Sequence, residues 1–219
     1  MSRGLKQLPG QPVRFAPRYM SHPPVRVFGS WAGYLAAARK VSLLRMVTDP
    51  MHREEYPWFR RFRRMNDVGS PAPDFTLRTV DGGTLRLSDL RGRIAVFMFA
   101  AMTCPPARAQ LPLWNQLHGE YADRGVAVFV VYSRERHPGE PGYREFRHTR
   151  TDAEKEVNAA MLAELARMPV AVDGVDEAVL ARYGKVPNAA FVVDADGVLV
   201  YKSTWADAAA IRAVLDRLV

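Results

Sequence analysis

The most constraining feature of this sequence is an unbroken apolar run that leads into a single cysteine. Residues 94–101 (IAVFMFAA) have the length and composition of a β-strand that is buried on both faces. Thr103 and Cys104 follow, and then Pro105 and Pro106. The two prolines suit the first turn of a helix, because their missing N–H groups have no helical partner there. The pattern therefore predicts a buried strand, a short loop that carries Cys104, and a helix.

Cys104 is the only cysteine in the 219-residue sequence. No internal disulfide can form, so the chain is not a secreted domain built on disulfides. The predicted place of Cys104 at a helix start puts its sulfur near the positive end of the helix dipole and near unpaired backbone N–H groups. Both effects favour thiolate and lower the pKa of the thiol from its reference value of about 8.5. Because thiolate is the reactive form, we predict that Cys104 is a nucleophile.

The remainder of residues 68–219 alternates strand-like and helix-like segments. Gly-rich turns at 81–83 and 194–197 predict two β-hairpins. The predicted elements are a hairpin of 75–77 and 84–87, a short turn at 88–92, strand 94–100, helix 105–123, strand 126–132, helix 153–167, strand 169–172, helix 175–183, a hairpin of 189–193 and 198–202, and helix 205–218. This is the thioredoxin order. We therefore predict an α/β thioredoxin-like fold, a mixed β-sheet flanked by helices, with Cys104 at the carboxyl end of a central strand.

Residues 1–67 are predicted to form a basic N-terminal extension with one or two helices. Residues 1–69 hold 13 Lys or Arg against four Asp or Glu, whereas residues 70–219 hold 18 against 19. The net charge of +8 therefore belongs to the extension and not to the domain that carries Cys104. Helical spacing of apolar residues predicts a first helix over about 29–47, and a second is predicted over 52–65.

Residues 58–64 interleave aromatic and basic side chains: Trp58, Phe59 and Phe62 with Arg60, Arg61, Arg63 and Arg64. One interpretation is a surface that binds an anionic membrane. The other is a helix whose aromatic side chains pack on the domain while its arginines face water. No nucleic-acid partner is expected, because no recognised nucleic-acid motif accompanies these residues.

The sequence also bears on location and assembly. No apolar run approaches 18 residues, so no transmembrane helix is expected. The first 24 residues contain scattered Pro and Arg and no apolar block typical of a signal peptide. We therefore expect a cytoplasmic protein. Nothing in the sequence specifies an oligomeric interface.

Several spaced motifs resemble those of known redox families. Residues 68–75 (VGSPAPDF) and 87–92 (LSDLRG) resemble the opening of the redoxin and peroxiredoxin group. Val186-Pro187 resembles the cis-proline that faces the active thiol in thioredoxin folds. A closer resemblance, to the iodothyronine deiodinases, which have selenocysteine at the position of Cys104, covers residues 103–106 (TCPP), 135–138 (ERHP), His148 and 168–173 (MPVAVD).

The deiodinase resemblance implies a role for each matching residue. Cys104 would be the nucleophile, and Thr103 would cap the helix or donate a hydrogen bond to the reacting sulfur. Glu135 and His137 would form an acid/base pair that delivers a proton to substrate, a task suited to a histidine pKa of about 6.5. His148 would help to bind a substrate carboxylate.

Three more residues are candidates for substrate contact. Pro187 is expected to be cis and to shape the pocket, and Pro105 adjoins the nucleophile. Trp205 stands where the deiodinases have an arginine that holds substrate. For Trp205, packing in the core is the alternative. Neither a metal site nor a bound cofactor is expected.

Departures from the family patterns bear on how Cys104 is regenerated. Met102 and Met168 occupy positions at which the deiodinases carry cysteines, and Ala107 takes the second cysteine position of the thioredoxin C-x-x-C motif. An external thiol, such as glutathione or a thioredoxin, would therefore have to reduce the oxidised Cys104. Ala101 stands where peroxiredoxins have the threonine that positions the peroxide.

Three hypotheses follow from these patterns. The leading one is a single-cysteine thiol oxidoreductase of the deiodinase type, whose Cys104 thiolate attacks a halogen or a peroxide oxygen of a small molecule. One alternative is a one-cysteine, peroxiredoxin-like peroxidase with an antioxidant role. The other is a non-catalytic thioredoxin-fold binding module that contacts a partner or a membrane through its basic extension.

Overall fold

The two long apolar runs become the central strands of one sheet. The structure, a computed structural model, describes residues 13–20, 22–48 and 60–219. The strands are β1 (Thr76–Thr79), β2 (Thr84–Arg86), β3 (Ile94–Ala100), β4 (Val126–Tyr132), β5 (Val170–Val172), β6 (Ala190–Val193) and β7 (Leu199–Ser203). They pair in the order β2-β1-β5-β4-β3-β6-β7. β3, β4 and β5 are parallel to one another, and the other pairings are antiparallel.

Helices cover both faces of this mixed sheet. They are α1 (Trp31–Ala38), α2 (Leu43–Thr48), α3 (60–64), α4 (Pro105–Tyr121), α5 (Asp152–Ala163), α6 (Ala178–Arg182) and α7 (Ala208–Leu215), with short 3₁₀ turns at Val25–Phe28, Leu87–Leu90 and Ala122–Arg124. α4, α5 and α7 contribute side chains to the core on one face of the sheet, and α6 contributes to the core on the other. The predicted thioredoxin-like fold is confirmed.

The alternation of side chains along β3 separates the two cores. Val96 and Met98 face the core under α4, whereas Phe97 and Phe99 face the opposite core. Phe97 stacks on the rings of Phe129 and Phe191, with ring centroids 5.2 Å apart in both pairs. Because every residue of β3 is buried, the strand fixes the position of the loop that begins where it ends.

Capping residues explain why several helices begin at residues other than those predicted. The helix predicted over 29–47 is divided into α1 and α2, because the Ser42 hydroxyl accepts the Arg45 N–H and starts a new helix. Thr151 and Glu154 form a capping box at the start of α5. Asp207 accepts the N–H of Ala210, and α7 therefore begins at Ala208, three residues after the predicted start at residue 205.

The extension packs along the edge of the sheet. The N–H of Phe15 donates to the Val200 carbonyl at 2.9 Å, and the N–H of Arg18 donates to the Lys202 carbonyl at 3.1 Å. These bonds run beside β7 and pair backbone groups that an edge strand would otherwise expose. The segment then crosses α4, where the Gln110 side chain donates to the Val27 carbonyl at 2.6 Å.

Phe62 is the one aromatic residue of the arginine-rich segment that the structure describes, and it follows the packing interpretation. Phe62 is 1% exposed and packs on Tyr19 and Phe191. The buried ammonium group of Lys202 donates to the Phe62 carbonyl at 2.8 Å. The four arginines are exposed: Arg60, Arg61, Arg63 and Arg64. Trp58, Phe59 and the rest of the helix predicted from residue 52 lie outside the described residues. Across the described part of the chain, no helix has the length and apolar character needed to cross a bilayer.

Candidate functional site

Cys104 lies between the carboxyl end of β3 and the first turn of α4, as predicted. It is the N-cap residue of α4, with Pro105 and Pro106 in the first turn. Its residue surface is 4% exposed. Since neither proline has an N–H group, Ala107 is the first residue of α4 whose backbone can donate toward the sulfur. The two prolines that favour the helix start therefore also lower the number of backbone N–H groups that can donate to the sulfur.

Thr103 joins the cysteine loop to the loop that follows β4. Its hydroxyl oxygen accepts the N–H of Arg136 at 2.8 Å and the N–H of His137 at 3.1 Å. The expectation that Thr103 caps the helix was wrong, because Cys104 occupies the N-cap position and Thr103 faces the neighbouring loop. Donation from Thr103 to the sulfur stays a prediction. The observed bonds hold the backbone of His137 beside the cysteine loop.

Glu135 completes the junction between the two loops. It is 2% exposed, and its Oε2 accepts the Thr103 N–H at 2.8 Å. Its Oε1 accepts the hydroxyl of Tyr132, and the same hydroxyl oxygen accepts the Met102 N–H at 3.2 Å. Burial raises the pKa of Tyr132, and the adjacent Glu135 carboxylate raises it further. Glu135 therefore holds the backbone of the two residues that precede Cys104, Thr103 directly and Met102 through Tyr132.

His137 pairs with a different carboxylate from the one predicted. Its Nδ1 lies 3.0 Å from Oε1 of Glu140, a residue that is 2% exposed. The predicted Glu135–His137 pair was therefore wrong: Glu135 is committed to Tyr132 and Thr103, and the chain turns after His137 so that Glu140 reaches the ring. A carboxylate can only accept, so in this pairing Nδ1 of His137 carries the proton.

Three further residues of the site gave no clear sequence signal. Arg108 follows Cys104 by four positions in α4, which places it on the same helix face, and its Nη1 lies 3.5 Å from the Met102 sulfur. Burial raises the pKa of Tyr143, and the nearby charge of Cys104 raises this pKa further. Tyr143 and Glu140 belong to the irregular loop after β4, where no periodicity marks a functional side chain.

His148 lines an open groove next to the histidine loop. The groove has a volume of about 540 Å³ and is lined by Arg45, Pro138, Gly139, Arg144, Phe146, Arg147 and His148. His148 itself is exposed. Three arginines, a histidine and one aromatic ring make this groove complementary to a small anion with an apolar body.

The peptide bond before Pro187 is trans, so the predicted cis-proline was wrong. The N–H of Ala189 donates to the Val186 carbonyl at 3.2 Å, which makes Pro187 the second residue of a β-turn. That position accepts a trans proline, because its fixed φ suits the turn. The next residue, Asn188, is buried and donates to the Phe99 carbonyl at 3.2 Å, so this turn stays attached to the end of β3.

Trp205 contacts the extension. Its indole N–H donates to the Met20 carbonyl at 2.9 Å, and the neighbouring Thr204 hydroxyl donates to the same carbonyl at 3.0 Å. Trp205 thus joins the extension to the end of β7, and a role in substrate binding stays a prediction. Pro105 is partly exposed beside Cys104. Over residues 13–20, 22–48 and 60–219, no group of three or more His, Cys, Asp or Glu side chains could hold a metal ion.

Comparison with known families identifies the domain around this site. The AhpC/TSA family matches residues 68–202, from the turn before β1 to the last strand. The chain belongs to the AhpC/TSA family. Two solved structures illustrate the shared fold of this AhpC/TSA family member. The exposed lipoprotein thioredoxin of Streptococcus pneumoniae is 29% identical, with a TM-score of 0.52 over 67% of this chain and 100% of that one. An uncharacterized conserved protein of Geobacillus kaustophilus is 25% identical, with a TM-score of 0.56 over 70% and 82%.

Curated relatives of this AhpC/TSA family member are named thiol-disulfide oxidoreductase ResA. The protein of Geobacillus thermodenitrificans is 31% identical over 59% of this chain and 65% of its own length. That of Oceanobacillus iheyensis is 40% identical over 29% of this chain and 35% of its own length. The chain thus spans between about a third and two thirds of these relatives. The closer resemblance to the deiodinases stays a prediction.

Proposed function

We propose that this AhpC/TSA family member is a single-cysteine thiol oxidoreductase. The proposal is supported by the junction of two loops: the hydroxyl of Thr103, the residue before Cys104, accepts the backbone N–H of His137, whose Nδ1 lies 3.0 Å from the buried carboxylate of Glu140. A sulfur nucleophile and a proton donor are the two groups that reductive attack on a substrate needs. The names of the curated relatives support thiol chemistry.

The proposed first step reduces the substrate by two electrons. The Cys104 thiolate donates an electron pair to a halogen or to a peroxide oxygen, and a bond forms between the sulfur and that atom. The bond from that atom to the rest of the substrate breaks, and the departing carbon or oxygen takes a proton from Nε2 of His137, which received it from the Cys104 thiol when the thiolate formed. Cys104 is left as a sulfenyl halide or a sulfenic acid.

Regeneration uses two equivalents of an external thiol, such as glutathione or a thioredoxin. The first thiol displaces halide or water from the oxidised sulfur and forms a mixed disulfide with Cys104. The second attacks the sulfur of the reductant in this disulfide, which releases the Cys104 thiolate and the oxidised reductant. The sequence supports this route, because Ala107 stands where a C-x-x-C motif would supply an internal thiol.

The mixed disulfide provides a direct test of regeneration. We expect intact-protein mass spectrometry to detect a glutathione adduct on Cys104 after one equivalent of hydrogen peroxide and a small excess of glutathione. In Ala107→Cys, the new thiol resolves the adduct at high effective concentration, so the adduct is replaced by an internal disulfide. Ala109→Cys is the matched control. Ala109 lies two positions after Ala107 in α4 and is exposed, so a thiol there does not lie on the turn that faces Cys104.

Absence of any adduct in the unmodified chain, with peroxide and with an aryl iodide as oxidant, would contradict the proposal. Oxidation of Cys104 that is far faster with peroxide than with the iodide favours the peroxidase alternative. An adduct that forms no faster than on a free thiol favours the binding module.

The basic groove supports a small anionic substrate. We expect Arg144→Glu/Arg147→Glu to raise KM for 3-iodo-4-hydroxybenzoate about tenfold or more, because two attractive charges become repulsive at the groove. The KM for the neutral methyl ester of this compound should stay within about twofold. Arg60→Glu/Arg64→Glu makes the same change in net charge on the exposed face of α3 and serves as the control. Equal effects on acid and ester would exclude the groove as the carboxylate site.

Two other expectations remain proposals. Contact between an anionic membrane and the arginines of residues 58–64 is supported by the exposure of Arg60, Arg61, Arg63 and Arg64 around the buried Phe62. A cytoplasmic location stays a prediction from the sequence.

A further inference from the structure

Residues 40–45 of the extension contact the loop that carries His137. The carbonyl of Lys40 accepts the N–H of Gly142 at 2.9 Å, and Nη1 of Arg45 donates to the Pro138 carbonyl at 3.1 Å. Between these two contacts, the backbone N–H of Ser42 donates to Oε2 of Glu140. The extension therefore meets this loop at its start, at its end and at the carboxylate between them.

Glu140 connects the extension to the histidine. One carboxylate oxygen accepts from Ser42, and the other lies 3.0 Å from Nδ1 of His137. A buried carboxylate requires hydrogen-bond donors, and here a main-chain N–H from outside the loop supplies one of them. A main-chain donor held between α1 and α2 has little freedom to move, so it fixes which oxygen faces the imidazole.

We propose that residues 40–45, which we call the strap, are part of the active site: the strap positions Glu140 and thereby sets the proton on Nδ1 of His137. This inference rests on the proposed role of His137 as the proton donor. Ser42 and Glu140 act through His137, so they are positioning residues. The AhpC/TSA match begins at residue 68, so the strap lies outside the part of the chain that the family describes.

The fit between strap and loop is close at Gly142. A Cβ added there would lie 2.4 Å from the Cβ of Lys40 and 2.9 Å from its Cα, distances at which the strap must move. The side chain of Lys40 cannot relieve this contact alone, because its Cα belongs to the backbone. Glycine at this position therefore permits the approach that brings Ser42 to Glu140.

Proline at position 42 tests the strap by removing one donor. Ser42→Pro deletes the N–H that binds Glu140, and Ser42→Ala keeps that N–H while losing the hydroxyl that caps α2. A loss of activity that both variants share comes from removal of the cap of α2. A difference in activity between the two variants reports the contribution of the Ser42 N–H. Gly142→Ala is an independent variant that displaces the strap without changing either partner of Glu140.

The readout is the tautomer of His137, measured by ¹⁵N NMR on the full chain with labelled histidine. We expect the unmodified protein and Ser42→Ala to carry the proton on Nδ1, and Ser42→Pro, Gly142→Ala and Glu140→Gln to show the tautomer mixture of a free imidazole. With hydrogen peroxide and glutathione, kcat of Ser42→Pro should fall about 10- to 100-fold below that of Ser42→Ala, with KM unchanged.

The outcomes separate the strap from the proposed function. If Glu140→Gln changes the tautomer and both Ser42→Pro and Gly142→Ala leave it on Nδ1, the strap inference is overturned while the function of His137 stands. If the tautomer changes as expected but turnover does not depend on His137, the strap holds the histidine as inferred and the proposed proton donor is wrong.

Discussion

The Cys104→Ala protein is expected to fold and to lose all thiol-dependent turnover. Cys104 is the only thiol in the chain, so no other side chain can accept the transferred atom or form the mixed disulfide with a reductant. The side chain is buried at the end of β3, and loss of one sulfur atom there should cost about 1 kcal/mol of stability. Thermal unfolding and circular dichroism check the fold, and peroxide consumption and iodide release check turnover.

The matching control uses a second buried sulfur of the same loop. Met102→Leu preserves side-chain volume and leaves Cys104 in place, so it should retain most of the activity. Retained turnover in Cys104→Ala, with either oxidant, would show that the reaction occurs elsewhere on the protein. If Cys104→Ala loses both turnover and the fold, Cys104→Ser is the variant to measure. Its hydroxyl keeps a polar atom of similar size at this position, so it tests the loss of the thiol with a smaller change in packing.

The second large effect is expected at the histidine. His137→Ala should lower kcat about 10²–10⁴-fold, because the departing atom then leaves without a positioned acid. The lost proton donor slows turnover more than binding, so KM should change little. Stopped-flow measurement of the first turnover isolates this step from regeneration by the external thiol.

Another histidine supplies the control for His137. His22 lies in the extension and is exposed, so His22→Ala should keep full activity. Added imidazole should restore part of the activity of His137→Ala, since it can occupy the space of the ring and supply a proton. A rate within about threefold of the unmodified protein, with no response to imidazole, would remove His137 from the mechanism.

The sequence predicted the sheet well for a physical reason. β3 and β4 appear at 94–100 and 126–132 as expected, because an apolar run of that length between polar segments has few stable alternatives to a buried strand. Helix ends were less predictable. Ser42, Thr151 and Asp207 decide where helices begin, and each does so by a side-chain bond that helical spacing alone does not reveal.

The candidate site was predicted in part. The place of Cys104 followed from a strand end and two prolines, which are local features. The partner of His137 could not be predicted from local features. The spacing of Glu135 and His137 suggested an extended segment with both side chains on one face. Thr103 instead accepts two successive N–H groups, and the chain turns so that Glu140 reaches the ring.

By itself, the sequence determined the thioredoxin-like order of elements and the presence of one thiol at the start of a helix, since both depend on residues that are neighbours along the chain. Only the tertiary structure decided the trans bond before Pro187, the pairing of His137 with Glu140 and the contact of the strap with Glu140. Each of these depends on how a loop packs against a distant segment, as Ser42 does against Glu140. Loops have no periodic pattern, and their hydrogen-bond partners are set by the elements that enclose them.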